Sequence, residues 1–517
     1  MIHRSPLPDV EIPDIPLTSL VLRSTEELAT KPAFVDGASG RTLTYGELAG
    51  GVRRVASGLA RRGFRKGDVF AICAPNIPEY PLAFHAAVSL GGVATGINPL
   101  WTAGEMAHQL VDSGAKYLLT TPDALDRALA AAGRSEIREV FIVGEDPLAT
   151  PFASLLADDT PAAPAVRIEA RQDLAALPYS SGTSGLPKGV MLTHRNLVAG
   201  LSQFAASQPA GADDVAFVVP PFFHMLGMCL MNLCLLQGVT LVTLPRFETR
   251  TFLRSIQEYG VTRAYLLPPI VVNLTREPLV DDFDLSTLRL IQCGGAPLGE
   301  PVARAAAERL GCPIKQNYAL TECYPALRMS MAAPEMIDCA SVGRCVPNTE
   351  CRVIDPATGA DVEPGQAGEL WFRGPQVMMG YLHRPEATAE VLNAEGWLRT
   401  GDIGCADAQG AFTIVDRLKE LIKVKGYQVA PAELEAVLLA HPAVVDAAVI
   451  PSPDAVAGEV PKAFVVLRQD ATAEGIMAFV AERVAPYKKI RRLEFVDQIP
   501  KSASGKILRR LLVERER

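Results

Sequence analysis

Leu177 to Gly189 reads LPYSSGTSGLPKG, the stretch of this chain richest in groups that could do chemistry on a phosphate. Tyr179, Ser180, Ser181, Thr183 and Ser184 bring hydroxyls. Gly182, Gly185 and Gly189 let the backbone approach a ligand closely and take positive φ where needed. Consecutive N–H groups in such a loop form a concave nest for an anion, and Lys188 adds a mobile point charge. The segment reads as a polyphosphate clamp. Two better-known loops are excluded. G-x-x-x-x-G-K-S/T fails because Pro187 precedes Lys188 and Gly189 follows it. G-x-S-x-G fails because Gly182-Thr183-Ser184-Gly185 has the wrong spacing. A solvated Ser/Gly linker does not account for the apolar runs that bracket it, Ala175 to Pro178 and Val190 to Leu192.

The same loop resembles the phosphate loop of the adenylate-forming superfamily: acyl- and aryl-CoA ligases, peptide-synthetase adenylation domains and firefly luciferase. Every position of the family pattern Y/F-T/S-S-G-T/S-T/S-G-x-P-K-G is met from Tyr179 to Gly189. Further motifs follow in family order. Asn317-Tyr318-Ala319-Leu320-Thr321-Glu322 matches a motif ending in Thr-Glu. The resemblance implies that Thr321 contacts phosphate, Glu322 holds Mg²⁺ and Tyr318 stacks on adenine, with Asn317 and Ala319 beside it. A hard cation shared by phosphates and one carboxylate is sound chemistry. Gly294-Gly295-Ala296-Pro297 resembles the strip beside adenine and the acyl group, where missing side chains leave room for a flat ligand. Gly396 to Asp402 matches G-W-x-x-T-G-D; Asp402 would accept from both ribose hydroxyls. Arg417 would contact ribose or phosphate, and Lys419 falls at the hinge position.

Lys423-Val424-Lys425-Gly426-Tyr427-Gln428-Val429 resembles a loop that enters the active site in one of two domain orientations, with Lys423 and Gln428 functional. Pro500 to Lys506 matches P-K-S/T-x-S/T-G-K, which implies that Lys506 is the catalytic lysine of adenylation, stabilising charge that develops in the transition state. His224, after Pro220-Pro221-Phe222-Phe223, resembles a gate beside the substrate carboxylate.

The implied chemistry is an ATP-dependent acid–thiol ligation. A small-molecule carboxylate attacks the α-phosphorus of MgATP to give an acyl-adenylate and pyrophosphate, and the thiol of coenzyme A then displaces AMP. The likeness is greatest to 4-coumarate–CoA-ligase-type enzymes, for the FFH and KVKGYQV segments. Three departures bear on the acid. Asn317 and Ala319 stand where such ligases carry glycines, and Leu226 stands where they often place a tyrosine. The expected substrate is an aryl or medium-size acid with an amino or hydroxy substituent in scope. Other acceptors or substrates use the same loops: a carrier-protein thiol, an amine, or another oxyanion such as nitrite. A non-catalytic nucleotide-binding protein on this fold is opposed by the intact Lys188, Glu322, Asp402 and Lys506.

These residues need a scaffold that holds them at the ends of strands. Thr44 with Glu47 makes a capping box for a helix. Strand-like runs at 67–72, 92–97 and 116–120 alternate with helical ones at 81–90 and 102–113, and the rhythm returns with strands near 215–219, 239–243, 263–267 and 288–292. Such alternation predicts α/β architecture with doubly wound, mostly parallel sheets. From Cys345 to Phe372, short strands between Pro and Gly turns predict a β-rich subdomain. After Asp416, a helix from Pro431, strands at 444–450 and 462–467 and a helix at 476–484 predict a small C-terminal α+β domain. The expected division is 1–416 and 417–517, the second being the mobile lid that the resemblance implies.

At 517 residues the chain exceeds one typical core. Its net charge of −8 gives no general pull toward nucleic acid or anionic membrane. The N-terminal MIHRSPLPDVEIPDIP has acids and prolines where a secretory signal needs an apolar run. Gly227 to Leu244 reads as a buried helix followed by a strand rather than a membrane span. Ten scattered cysteines lack a C-x-x-C pair, and the spacing of Cys339, Cys345 and Cys351 fits no zinc pattern. A cytoplasmic monomer or homodimer with reduced thiols is expected.

Overall fold

The computed structural model describes residues 1–157, 163–180, 187–329, 340–425, 427–454, 456–502 and 505–516. Ser181, Gly182, Thr183, Ser184 and Gly185 of the expected phosphate clamp lie outside the described residues.

Two nine-stranded sheets carry the large domain. In the first, Val69–Cys73 lies between Val93–Gly96 and Ala115–Thr120, all parallel. In the second, Val215–Val218 lies between Thr240–Thr243 and Arg263–Leu266, and parallel pairing continues through Leu290–Cys293 to Ile314–Leu320. The helices start where local chemistry says they should. Thr44 Oγ1 accepts from the Glu47 N–H at 3.2 Å while the Glu47 carboxylate accepts from the Thr44 N–H at 2.8 Å, opening Tyr45–Arg61. Thr102 with Glu105 and Thr193 with Asn196 repeat the box at Ala103–Ser113 and His194–Ser207. Each such cap contributes about 1 kcal/mol.

Met225–Leu236 is buried along its whole length, as the reading of 227–244 requires, and its polar side chain Asn232 donates to the Met228 carbonyl at 2.8 Å. It joins the largest core cluster, which includes Phe70 and Leu119 from the first sheet and Val218 and Leu241 from the second. No helix among the described residues is long and apolar enough to cross a membrane. The nine described cysteines are free thiols, eight of them buried in the core.

A five-stranded antiparallel sheet forms the β-rich subdomain, with order His3–Arg4, Glu350–Ile354, Gly368–Arg373, Leu398–Ala406, Phe412–Arg417. The pairing of the extreme N-terminus with this sheet has no signal in the sequence; it is a contact across the length of the chain. A second five-stranded sheet, built from Ile422–Val424, Tyr427–Val429, Val444–Asp454, Gly458–Leu467 and Arg492–Phe495, carries the C-terminal region. Ile422, Val429, Leu434, Val449 and Val465 form a core of their own there. The last expected helix begins earlier than its apolar run, at Ala473, because Thr472 caps it by accepting from the Gly475 N–H. Arg276 helps to seat this region on the large domain, donating to the Leu439 carbonyl at 3.4 Å and the Val444 carbonyl at 3.5 Å, and Gly505 packs close to Pro269.

Candidate functional site

Parallel strands end together, and ligands gather outside their carboxyl ends. The register pairs Cys293 with Gln316 and Leu266 with Cys293. Gly294–Pro297 and the Thr321–Glu322 turn therefore leave the second sheet on one edge. Most of the Asn317–Glu322 motif lies on the strand itself. The strand runs to Leu320, and Thr321–Glu322 turn directly into the antiparallel strand Cys323–Arg328, because Leu320 pairs with Cys323. Gly294 does not leave open space. A Cβ there would meet the Asn317 amide at 2.9 Å, so the glycine makes room for Asn317, one of the departures noted above. Gly295 has φ 91°, a conformation that favours glycine.

A charged cluster forms where the β-rich sheet meets this edge. Asp402 and Arg417 are cross-strand partners, which places the guanidinium Nε 3.0 Å from Asp402 Oδ1. The Tyr318 hydroxyl donates to Asp402 Oδ2 at 2.5 Å, and Thr400 Oγ1 accepts from the Asp402 N–H. Burial raises the Asp402 carboxyl above its usual range; Arg417, the Tyr318 hydrogen bond and Lys506 counteract it. Lys506 stays solvent-accessible within the cleft. The protein around it, and next Arg417, pull its ammonium below the usual lysine range, against the opposing pull of Asp402, Glu322 and Glu420. A tight turn holds it: the Ser502 N–H donates to the Lys506 carbonyl and the Gly505 N–H to the Ser502 carbonyl. His224 caps Met225–Leu236, its Nδ1 accepting from the Leu226 N–H at 3.4 Å. Burial, with a contribution from Lys506, lowers its pKa to about 4, so the ring is neutral near pH 7.

Glu322 is 8% exposed. One carboxylate oxygen accepts from the Tyr381 hydroxyl at 2.8 Å, and the carboxylate has no ion pair among the described residues. A buried anion in that state fits a hard cation shared with phosphate oxygens. Tyr381 is itself placed by pairing with Val190 on the strand Lys188–Thr193, and Lys188 Nζ lies 4.6 Å from the centre of its ring. Lys188 and Glu322 thus meet through one aromatic ring. Behind the clamp, Tyr179 donates to Asp112 at 2.8 Å and Arg384 pairs with Asp112 at 3.0 Å.

The structure thus brings together Lys188, Gly294, Asn317, Tyr318, Glu322, Asp402, Arg417 and Lys506, with His224 adjoining, and Thr321, Ala319, Gly295, Ala296 and Pro297 on the same loops. It leaves Lys423 and Gln428 apart. These face each other across the hairpin Ile422–Val424/Tyr427–Val429, exposed, and their side chains make no hydrogen bond or ion pair among the described residues. Lys419 is exposed in the turn between Arg417 and Leu421. Tyr381 and Asp112 escaped the sequence reading. The only signal for Tyr381 was an aromatic beside Gly380, too common a pair to single out.

Residues 22–382 match the family model described as AMP-binding enzyme, and residues 433–506 match the model of the AMP-binding enzyme C-terminal domain. The chain is 42% identical to 4-coumarate–CoA ligase 5 of Oryza sativa subsp. japonica, over 98% of this chain and 96% of that relative. Among solved structures it resembles an anthranilate CoA ligase in complex with anthranoyl-AMP, with TM-score 0.89, 26% identity and 98% of each chain covered. It also resembles a benzoate CoA ligase from Burkholderia xenovorans, with TM-score 0.86, 28% identity, and 96% of this chain and 99% of that one covered.

Proposed function

The chain belongs to the AMP-binding enzyme family, and we propose that it is an ATP-dependent, AMP-forming acid–CoA ligase working through an acyl-adenylate. The observation that carries the residue assignments is Lys506: its ammonium stands in one cleft with Asp402, Arg417 and Glu322.

In the first half-reaction, Lys188 and the hydroxyl-rich loop hold the β- and γ-phosphates. Asp402, oriented by Tyr318 and Arg417, accepts from the ribose hydroxyls through its remaining lone pairs. Glu322 would hold Mg²⁺, which when bound neutralises phosphate charge. Lys506 lies between the acid's carboxylate and the α-phosphate and stabilises the charge that develops as the oxygen attacks. Neutral His224 borders the carboxylate without competing for its charge. The chain's contribution is positioning and preorganised charge, the usual basis of catalysis at phosphorus. For the second half-reaction, the region 417–517 reorients about Lys419 and replaces Lys506 with the Lys423–Gln428 hairpin, beside which the CoA thiol attacks. The separate sheet and core of that region support the division at 416/417.

The test is an incubation with MgATP, CoA and a panel of carboxylic acids, read by mass spectrometry. The reading expects AMP and an acyl-CoA in equal amounts for at least one acid. ATP binding with no acid-dependent pyrophosphate release across the panel would overturn it.

A further inference from the structure

Beside Leu226, and bordered by Gly294 and Asn317 of the site described above, lies a cavity of about 10 Å³, room for roughly one water or one ligand oxygen. Leu226 and Leu230 of the buried helix are among its apolar lining, and Tyr265, Gln292, Asn317 and Tyr324 bring polar groups. Its polar end is unusual. The Tyr324 hydroxyl, on a residue 5% exposed, lies in the field of Arg328 and makes no hydrogen bond of good geometry among the described residues. Directly behind Gln292 stands Arg328, 4% exposed. Its guanidinium donates to Gln292 Oε1 at 2.9 Å and to Gln208 Oε1 at 2.6 Å, and lies over the Phe204 ring at 3.3 Å. No carboxylate among the described residues pairs with it, and its Nε is unpartnered, as is Gln208 Nε2. Burial draws this guanidinium down to about 10.

A buried cation held by neutral amides, a phenol and a ring, with no carboxylate, is costly, and buried charges are ordinarily paired. The three atoms here without a hydrogen bond of good geometry, Tyr324 Oη, Gln208 Nε2 and Arg328 Nε, can all donate. What the cluster lacks is an acceptor carrying negative charge. Arg328 and Tyr324 both belong to the strand Cys323–Arg328 that leaves the Thr321–Glu322 turn, so the cluster is tied directly to the catalytic edge.

We propose that this cavity is the far end of the acid pocket, and that the Tyr324–Gln292–Arg328 cluster selects a short acid bearing a second oxyanion, one oxygen of which enters the cavity. The inference rests on the acid-activation reading and names its substrate class. Tyr324 is a binding residue in this account. Arg328 acts through Gln292 and the field of its charge, and is a positioning residue. A site with buried donors rejects analogues that leave them unpaired, and it disfavours a distal ammonium by charge.

The experiment is ATP–pyrophosphate exchange with shape-matched acids: succinate against 4-methylpentanoate, and terephthalate against 4-isopropylbenzoate, with 4-aminobutyrate as the cationic member. The full chain is used as wild type, Tyr324→Phe, Arg328→Met and Arg328→Lys. The expected result is a preference of about 10- to 100-fold in kcat/KM for the dianion over its hydrocarbon twin. Arg328→Met should erase that preference, Tyr324→Phe should reduce it and Arg328→Lys should partly restore it. Equal or better use of the hydrocarbon twins by the wild type would overturn the proposal, as would a preference that survives Arg328→Met. Should Arg328→Met fail to fold, Tyr324→Phe, which removes one hydroxyl, decides: an unchanged preference overturns the proposal. Exchange with no acid at all would instead strike the acid-activation reading.

Discussion

Tyr381→Phe isolates the contact on which the Glu322 geometry depends. The phenol donates to Glu322 Oε1 at 2.8 Å, with Tyr381 7% and Glu322 8% exposed. A hydrogen bond to a charged group at a buried site contributes about 1.5–3 kcal/mol, and loss of an outer partner of a metal-holding carboxylate costs about 10- to 100-fold in affinity or activity. Phenylalanine keeps the ring under Lys188 and leaves that cation–π contact of 4.6 Å intact. The loss therefore falls on Glu322 alone. The variant is expected to lower kcat/KM for MgATP by about 10- to 100-fold and to require more Mg²⁺ for half-maximal exchange. Steady-state exchange at several free Mg²⁺ concentrations measures both, with thermal unfolding as a check on the fold. Wild-type kinetics and an unchanged Mg²⁺ requirement would refute the reasoning, since the hydroxyl would then contribute nothing to holding the carboxylate.

Three further outcomes follow from the same geometry. Tyr318→Phe removes a donor to the ionised form of Asp402, so the acid limb of kcat/KM for ATP should move to higher pH; a limb that stays put would count against Asp402 as the ribose acceptor. Gly294→Ala sets a Cβ 2.9 Å from the Asn317 amide and should reduce exchange, whereas the double variant with Asn317→Gly should recover much of it; additive losses in that cycle would show that the two do not compete for space. Burial holds the neutral forms of His85, His194 and His224 at about 3, 4 and 4, below the 6.5 of an open chain. The unfolded chain therefore takes up protons first as pH falls below 6.5, and stability is lost progressively from there toward pH 4. Glu435, raised to about 7 by burial, works in the opposite sense. Urea midpoints between pH 5 and 6.5 should fall less steeply for His85→Gln than for the parent, and equal slopes would contradict the assignment.

Much of this was legible in the sequence because it is local. The Thr44–Glu47 capping box needs only three residues of separation. Alternating strands and helices report a parallel sheet, and the sheet's carboxyl edge locates Gly294 and Glu322 without further information. What the sequence did not reveal depends on register between distant strands. Asp402 meets Arg417 because two antiparallel strands align them. Tyr381 meets Glu322 because a two-residue strand pairs with Val190. Gly294 looked like open space, since nothing local says that Asn317 would fill it. Arg328 has no local signal at all; only the packing of Phe204, Gln208 and Gln292 around it reveals a buried cation.

The most direct test of the account separates the two half-reactions. ATP–pyrophosphate exchange reports adenylation alone, and acyl-CoA formation from a supplied acyl-adenylate reports thiolysis alone. With Lys506 in the cleft and Lys423 on the exposed hairpin, Lys506→Ala should lose most exchange while retaining thiolysis. Lys423→Ala should retain exchange. Lys506→Ala with exchange at the parent's rate would contradict the central claim that this lysine completes the adenylation site.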